Sequence, residues 1–372
     1  MILGCALCYG NVNAMRIACL CCDRAVPYGG RKGASIHLAE MSRGLAAEGA
    51  QVLVLAAAIE GDPAPPPGVT VECLPAAAER KAWLAERLRD FEAAVLYERL
   101  SLHSTAGADA ADALGIAHLV ELNAPLLDEA AADGTLAEPN VAERCERRTL
   151  AAADLVLAVS PPLAAYAYAR GARAVEVMPN ATAVERFPAP LRDGDRPVAA
   201  FAGAVRARHG SETIAAAWRE LGPDAPQLLV VGDGPGREVL EDAGAHVTGL
   251  LPPSAARAAL AGADIGLAPY AAGGPDYFSP LKLFDYMAAG LAVVAADLPG
   301  IASIVDPRMA VLIPPGDPAA LAEAVRALAD DAERRARMGR AGRSLVAARH
   351  TWGHRARRVI AAAAVPRLRM AA

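Results

Sequence analysis

The sequence predicts an α/β protein of two domains, each a parallel sheet with helices on both faces. Three observations carry this. At 372 residues the chain is longer than one hydrophobic core usually organises, so two domains fit better than one. Short apolar runs of the buried-strand type alternate with Ala-rich helical segments from Met15 onward. A stretch rich in Pro, Gly and charge, PNATAVERFPAPLRDGDRP, then breaks the alternation and places a boundary near residues 182–197. Hydrophobic residues make up 54% of the chain, and much of that is Ala. The core must therefore come from Val, Leu and Ile strands packed against Ala-rich helices.

Taken in order, residues 1–14 lack the positive start of a signal peptide and read as a disordered extension or a start-site artefact. Met15 opens MRIACLCC, the first strand. The loop PYGGRKGAS follows, then a helix from about Ala34 to Glu48 ended by Gly49, then the strand AQVLVLAA. Further strands are expected near Val69 to Leu74, Ala93 to Glu98, His118 to Leu122, Asp154 to Val159 and Val175 to Met178. After the boundary PVAAFAG, QLLVVGDG, HVTG, ADIGLAP, LAVVAA and MAVLIP repeat the plan, and helices run from about Pro318. The expected domains are 15–186 and 187–350, with 351–372 a final helical segment.

Charge and composition exclude several classes. A net charge of −5 argues against a general nucleic-acid binder, which would carry a basic footprint. No uninterrupted apolar stretch is long enough to span a bilayer. Seven cysteines, an odd number without a secretory signal, point to a reducing cytoplasm. Cys5 with Cys8 and Cys19 with Cys22 form two CxxC pairs of zinc-ligand spacing. However, Cys19, Cys21 and Cys22 lie in an apolar run better explained as a buried strand, so no metal site is expected.

The stretch richest in chemistry is GGPDYFSPLKLFDYMAAGLAVVAADLPG, residues 273–300. Ser279 can cap a helix and Pro280 is favoured at its first position, so a helix is expected from about Pro280 to Ala289, ended by Gly290. A helix start presents unpaired N–H donors and the positive end of the macrodipole, and Lys282 adds charge in the first turn. That outlines a phosphate site. Asp285, one turn further in, is placed to reach a ribose diol attached to that phosphate. SPLKLFDYMAAG resembles the nucleotide-sugar signature of retaining glycosyltransferases of the GT-B fold, most closely family four (glycosyl transferases group 1). The resemblance implies two Rossmann-like domains with a cleft between them, and a final helix that crosses back to the N-terminal domain. It also implies that the donor-binding residues include Ser279, Pro280, Leu281 and Asp285. The family pattern is Glu, seven residues, Glu; here the second acid is Asp285 and the first position is Tyr277.

Other loops fit beside it. Gly29, Gly30 and Gly33 precede a helix and would let backbone N–H groups approach a ligand; they resemble the family's first loop, facing donor phosphate and acceptor. FAGAVRARHG resembles the loop after the first strand of the second domain, where cationic side chains neutralise the diphosphate. Gly203, Arg206, Arg208 and His209 lie in it, with Ala204 at the usual arginine position. Asn123 lies at a strand end where many members carry an active-site His. It can hydrogen-bond a sugar hydroxyl but is no general base, so Glu121, Glu129 or His103 is considered alongside it. VVGDGPGRE is no dinucleotide fingerprint, because its third glycine comes one position early and no acid follows at the right distance. The resemblance puts this loop, with Gly232, near the nucleotide.

The resulting expectation is a retaining transferase that needs no metal and no cofactor. A nucleotide-diphosphate sugar is its co-substrate and a hydroxyl-bearing molecule its acceptor. Arg206 and Lys282 would carry the catalytic charge, with Asn123 beside the sugar. Two rivals stand: a sugar-nucleotide epimerase on the same architecture, and a degenerate, non-catalytic partner subunit. Trp352 and the arginines of the last segment could rest on the inner face of a membrane. Packing of that segment on the N-terminal domain is the favoured reading.

Overall fold

The computed structural model describes residues 15–191 and 196–364; the extension expected at 1–14 lies outside them. The described residues form two compact units, one of residues 15–158, Leu163–Met178 and residues 352–364, the other of Val159–Pro162 and the described part of Pro179–Thr351.

The first unit holds β1 (Arg16–Cys21), β2 (Gln51–Ala56), β3 (Val69–Cys73), β4 (Val95–Arg99), β5 (Ala117–Leu122), β6 (Leu155–Ala158) and β7 (Val175–Val177). All pair in parallel, in the order β3-β2-β1-β4-β5-β6-β7. Such sheets are covered on both faces, which is why β1 and β2 read as continuous apolar runs rather than alternating ones. The helices between them are α1 (Gly33–Ala47), α2 (Ala77–Asp90), α3 (Ala106–Leu114), α4 (Leu126–Ala132), α5 (Pro139–Ala152) and α6 (Pro161–Ala169).

The second unit repeats the plan with β8 (Val198–Ala202), β9 (Gln227–Val231), β10 (His246–Val247), β11 (Ile265–Ala268), β12 (Ala292–Ala296) and β13 (Ala310–Ile313). These too are parallel, in the order β10-β9-β8-β11-β12-β13. Its helices are α7 (Ser211–Leu221), α8 (Arg237–Glu241), α9 (Pro253–Ala261), α10 (Leu281–Ala288), α11 (Pro299–Ala302), α12 (Pro318–Ala329) and α13 (Ala332–Arg349). One core layer gathers Leu283, Phe284 and Met287 of α10 with Val293 and Ala295 of β12; the opposite layer joins Ile214, Val230, Val294 and Leu321. The long stretch of this unit runs from Pro179, and Asn180 and Thr182 near its start bond to Ser279 and Asp285 within it.

In both sheets the strand order reverses once, between β1 and β4 and between β8 and β11. The crevice outside the carboxyl ends at such a reversal is where open α/β sheets bind ligands.

The last helix, α14 (Trp352–Ala363), belongs to the first unit. It packs on α1 so closely that a Cβ at Gly44 would lie 2.9 Å from the Trp352 carbonyl oxygen. Arg355 of α14 is buried, donates to the Met178 carbonyl at 2.7 Å and pairs with the buried Glu121 carboxylate. His37 of α1 reaches the same carboxylate at 3.0 Å and sets its ring edge-on to Trp352.

Candidate functional site

The reversal point of the second sheet is built around α10. β8 and β11 pair only through Ile265 with Ala199 and Gly266 with Ala200, then diverge. The Tyr286 hydroxyl stands in for the missing rung, accepting from the Ala202 N–H at 2.7 Å and donating to the Leu267 carbonyl at 3.0 Å. Its ring lies on Gly266, where a Cβ would come 2.5 Å from it. Only glycine fits there.

One turn earlier on α10 stands Lys282. Its Nζ is buried and has no hydrogen-bond partner among the described residues. It lies 3.9 Å from the centroid of the Phe201 ring and 5.8 Å from that of Tyr270. Aromatic faces attract a cation but supply less than the water that burial removes. Burial accordingly pushes the Lys282 ammonium down to about 7. A dehydrated amine without a counter-charge is arranged to receive an anion.

The loop after β8 covers this lysine. Gly203 has φ +116 and lies beside the Lys282 stem, while Gly210 has φ +89 and would carry a Cβ 2.7 Å from the Pro269 ring. His209 donates from Nδ1 to the Ala204 carbonyl at 2.7 Å, since a carbonyl can only accept, so the neutral ring turns a lone pair outward at Nε2. Burial first, and then the charge of Lys282, lower His209 to about 4. Its ring stands edge-on to Tyr270 and Phe278, which stack on each other at 4.8 Å. Tyr270 itself holds φ +39, a strained value for a non-glycine residue. Arg206 and Arg208 are exposed. Gly232 packs under the loop, a Cβ there falling 2.0 Å from the Gly203 oxygen, so the glycines of VVGDGPGRE serve close backbone packing.

The start of α10 differs from the expected cap. The helix begins at Leu281 with Pro280 before it, and no side chain caps it. The Ser279 hydroxyl faces away from the helix because it accepts from the Asn180 backbone N–H at 3.0 Å, while Asn180 Nδ2 donates to the Ser279 carbonyl at 2.6 Å. The Thr182 hydroxyl donates to Asp285 Oδ1 at 2.6 Å. Tyr277 is buried with its ring 5.0 Å from Phe278, a packing residue in the place of an acid. Asn180 and Thr182 escaped sequence reasoning: they sit in the boundary stretch, and nothing local marks a short polar residue whose partner lies about a hundred positions on.

In the first unit, Gly29, Gly30 and Gly33 follow β1, His103 follows β4 and Asn123 follows β5, all at carboxyl ends. Gly29 has φ +87 and packs on the Glu60 carbonyl, and Gly33 opens α1. Asn123 Nδ2 is buried with no partner among the described residues. His103 is exposed and its Nε2 lies 2.6 Å from the Ala137 carbonyl. Glu121 is not available as a substitute base. Burial would raise it, but His37, Arg355 and Arg99 together hold it well below the usual carboxylate range, locked in its buried pair. Cys5 and Cys8 lie outside the described residues. Cys19 and Cys22 are buried thiols pushed up to about 12, chiefly by burial, which suits a core rather than a metal ligand. Among the described residues no helix is long and apolar enough to cross a membrane.

Two family models match the chain: "Glycosyl transferases group 1" over residues 196–331 and "Glycosyl transferase 4-like domain" over residues 32–181. TuaC of Bacillus subtilis strain 168, whose name assigns it provisionally to teichuronic acid biosynthesis as a glycosyltransferase, is 28% identical over 193 residues, 48% of each protein. The chain spans about half the length of the curated relatives it matches. Among solved structures, a sucrose-phosphate synthase from Thermosynechococcus elongatus superposes with a TM-score of 0.73 at 19% identity, over 93% of this chain and 97% of that one. HepE of Anabaena in complex with UDP gives 0.69 at 17% identity, over 93% and 98%. At such identities the likeness speaks for the fold. With a matched segment on each sheet, from α1 to β7 in the first unit and over all six strands of the second, the chain belongs to the group 1 glycosyltransferases, family four, of the GT-B fold class.

Proposed function

We propose that the protein is a retaining glycosyltransferase that moves a sugar from a nucleoside diphosphate donor to an acceptor hydroxyl without a bound metal. The observation that carries this is the buried, unpartnered Lys282 ammonium at the start of α10, beside the diverging ends of β8 and β11. A diphosphate is the anion such a site suits, and the unpaired N–H groups of the helix start add donors of the same sense. Arg206 and Arg208, exposed on the adjoining loop, would gather charge on the departing phosphate as a metal does elsewhere. Asp285 would hold the ribose, and the UDP bound by HepE supports a nucleoside diphosphate as the class of ligand. His209, neutral by burial, would accept a hydrogen bond from the donor rather than bind phosphate.

In the reaction the bond between the anomeric carbon and the β-phosphate oxygen breaks. The acceptor oxygen bonds to the same face of that carbon, and the acceptor's proton passes to the departing phosphate oxygen. No protein carboxylate need act as nucleophile, in keeping with Glu121 being locked in an ion pair. Asn123, with an unsatisfied buried amide, would donate to a sugar hydroxyl.

Thermal unfolding with UDP, GDP, dTDP and ADP tests the donor site. A nucleotide at 100 times its dissociation constant stabilises by ~2.7 kcal/mol, a visible shift. One nucleotide is expected to act, and its sugars then define the turnover assay. Lys282→Ala and Asp285→Ala should lower that turnover at least a hundredfold, about the effect of removing one transition-state donor. Unchanged turnover in either variant would remove the assigned donor site.

A further inference from the structure

We propose that Thr182 is a positioning residue for the donor nucleoside, acting through Asp285, with Asn180 fixing the start of the same helix; this rests on the donor site described above. Thr182 and Asn180 lie near the start of the long stretch of the second unit, about a hundred residues before α10. They nonetheless bond to this helix and to the residue that leads into it. Thr182 is 5% exposed and its hydroxyl donates to Asp285 Oδ1 at 2.6 Å. Its own backbone is fixed, since the Thr182 N–H bonds to the His350 carbonyl at 3.0 Å and a bridge pairs Thr182 with Thr351. The hydroxyl is therefore presented by a braced backbone rather than by a loose loop.

The chemistry follows from what an aspartate must do at this place. A carboxylate on the second turn of α10 has rotamer freedom, and only some rotamers face a ribose diol. A hydroxyl donating to one oxygen selects one orientation and satisfies the half-buried charge when no nucleotide is bound. Aspartate is shorter than glutamate by one methylene, so its reach depends more on where the carboxyl group is held. Asn180 serves the neighbouring step. Through its N–H and its amide it grips both the hydroxyl and the carbonyl of Ser279, so that Pro280 and Leu281 start the helix at a fixed point beneath Lys282. Asn180 is buried, and its Oδ1 has no hydrogen-bond partner among the described residues.

The test uses the full-length protein with UDP, GDP, dTDP and ADP, and with inorganic pyrophosphate, which carries the charge without the ribose. Thr182→Val keeps the shape and removes the hydroxyl. It should weaken the best nucleoside diphosphate about tenfold, the effect of one charge-assisted hydrogen bond, and leave pyrophosphate affinity within twofold. Thr182→Ser, which keeps the donor, should restore nucleotide binding. In an Asp285→Ala background Thr182→Val should cost nothing further, because a residue that acts through another is non-additive with it. The proposal is overturned if Thr182→Val binds nucleotide as the wild type does, if pyrophosphate weakens equally, or if the two substitutions add. A wild-type protein that binds none of the four nucleotides would instead overturn the donor-site reading itself, and this inference with it.

Discussion

At the scale of single residues the protein keeps one amine dehydrated. Lys282 has a folded-state value near 7 against an ordinary 10.5, because burial removes water and the surrounding groups are the Phe201 and Tyr270 rings and neutral His209. Between those two values the unfolded chain holds a proton that the folded chain does not. Stability of the ligand-free protein therefore rises with pH from about 7 to about 10.5. Lys282→Met should flatten that rise and increase the ligand-free Tm while removing turnover, the usual exchange at a strained functional site. Bound diphosphate restores the charge. Nucleotide binding above pH 7 should thus take up a proton and weaken as pH climbs. Calorimetry in two buffers of different ionisation heat would show the uptake, and a pH-independent affinity would count against the unpaired lysine.

At the scale of elements, α10 is the piece on which the second unit is assembled. Tyr286 bridges the parted strands, Lys282 one turn earlier is buried against Phe201, Asp285 meets Thr182, and the helix end is pinned from behind by α13. A Cβ at Gly339 of α13 would come within 1.8 Å of the Gly290 oxygen, so the two backbones meet with no side chain between them. Tyr286→Phe keeps the ring but leaves the Ala202 N–H and the Leu267 carbonyl without their partner. The expected loss is about 1–3 kcal/mol for such buried groups, seen as a lower Tm. If the bridge also sets Lys282 in place, nucleotide affinity falls in the same variant. A Tm within one degree of the wild type would show that water fills the gap.

At the scale of the whole molecule, the first unit is held by charges that its sheet cannot dispense with. Glu121 is ionised and paired with Arg355, while burial lowers His37 and keeps it neutral. The two groups act in the same sense. The unfolded chain protonates His37 below about 6.5 and Glu121 below about 4.5, whereas the folded chain resists both, so stability falls as pH drops through those values. Glu121→Gln, which leaves Arg355 buried without its counter-charge, should lose about 3–5 kcal/mol at neutral pH and show a weaker dependence below pH 4.5. Denaturant unfolding at pH 7 and pH 4 would measure both.

How much of this was legible follows from the range of the forces. Strand and helix periodicity is local, so both parallel sheets and their element order could be read from apolar runs and glycine stops, with ends displaced by a residue or two. The α10 stretch was legible because Pro280, Lys282 and Gly290 each act within a turn of their own position. Glu121 was not, since its partners Arg355 and His37 are 234 and 84 positions away in the chain. Ser279 misled for the same reason: locally it is a good cap, and only the fold brings Asn180 to claim its hydroxyl. His209 stands among cationic residues in the sequence; its half-buried ring and bond to Ala204 hold it neutral.

The place of Arg355 in the chain has a consequence for how the protein is made. The ribosome delivers Glu121 long before it delivers α14, and the entire second unit is synthesised in the interval. Until then the Glu121 carboxylate has only Arg99, 3.8 Å away, and His37 beside it, and its nearest cation is still missing. The first unit to emerge is thus the last to be completed. Whatever shields the nascent sheet in that interval, whether chaperone or simple delay in collapse, has to wait for the second unit to be translated.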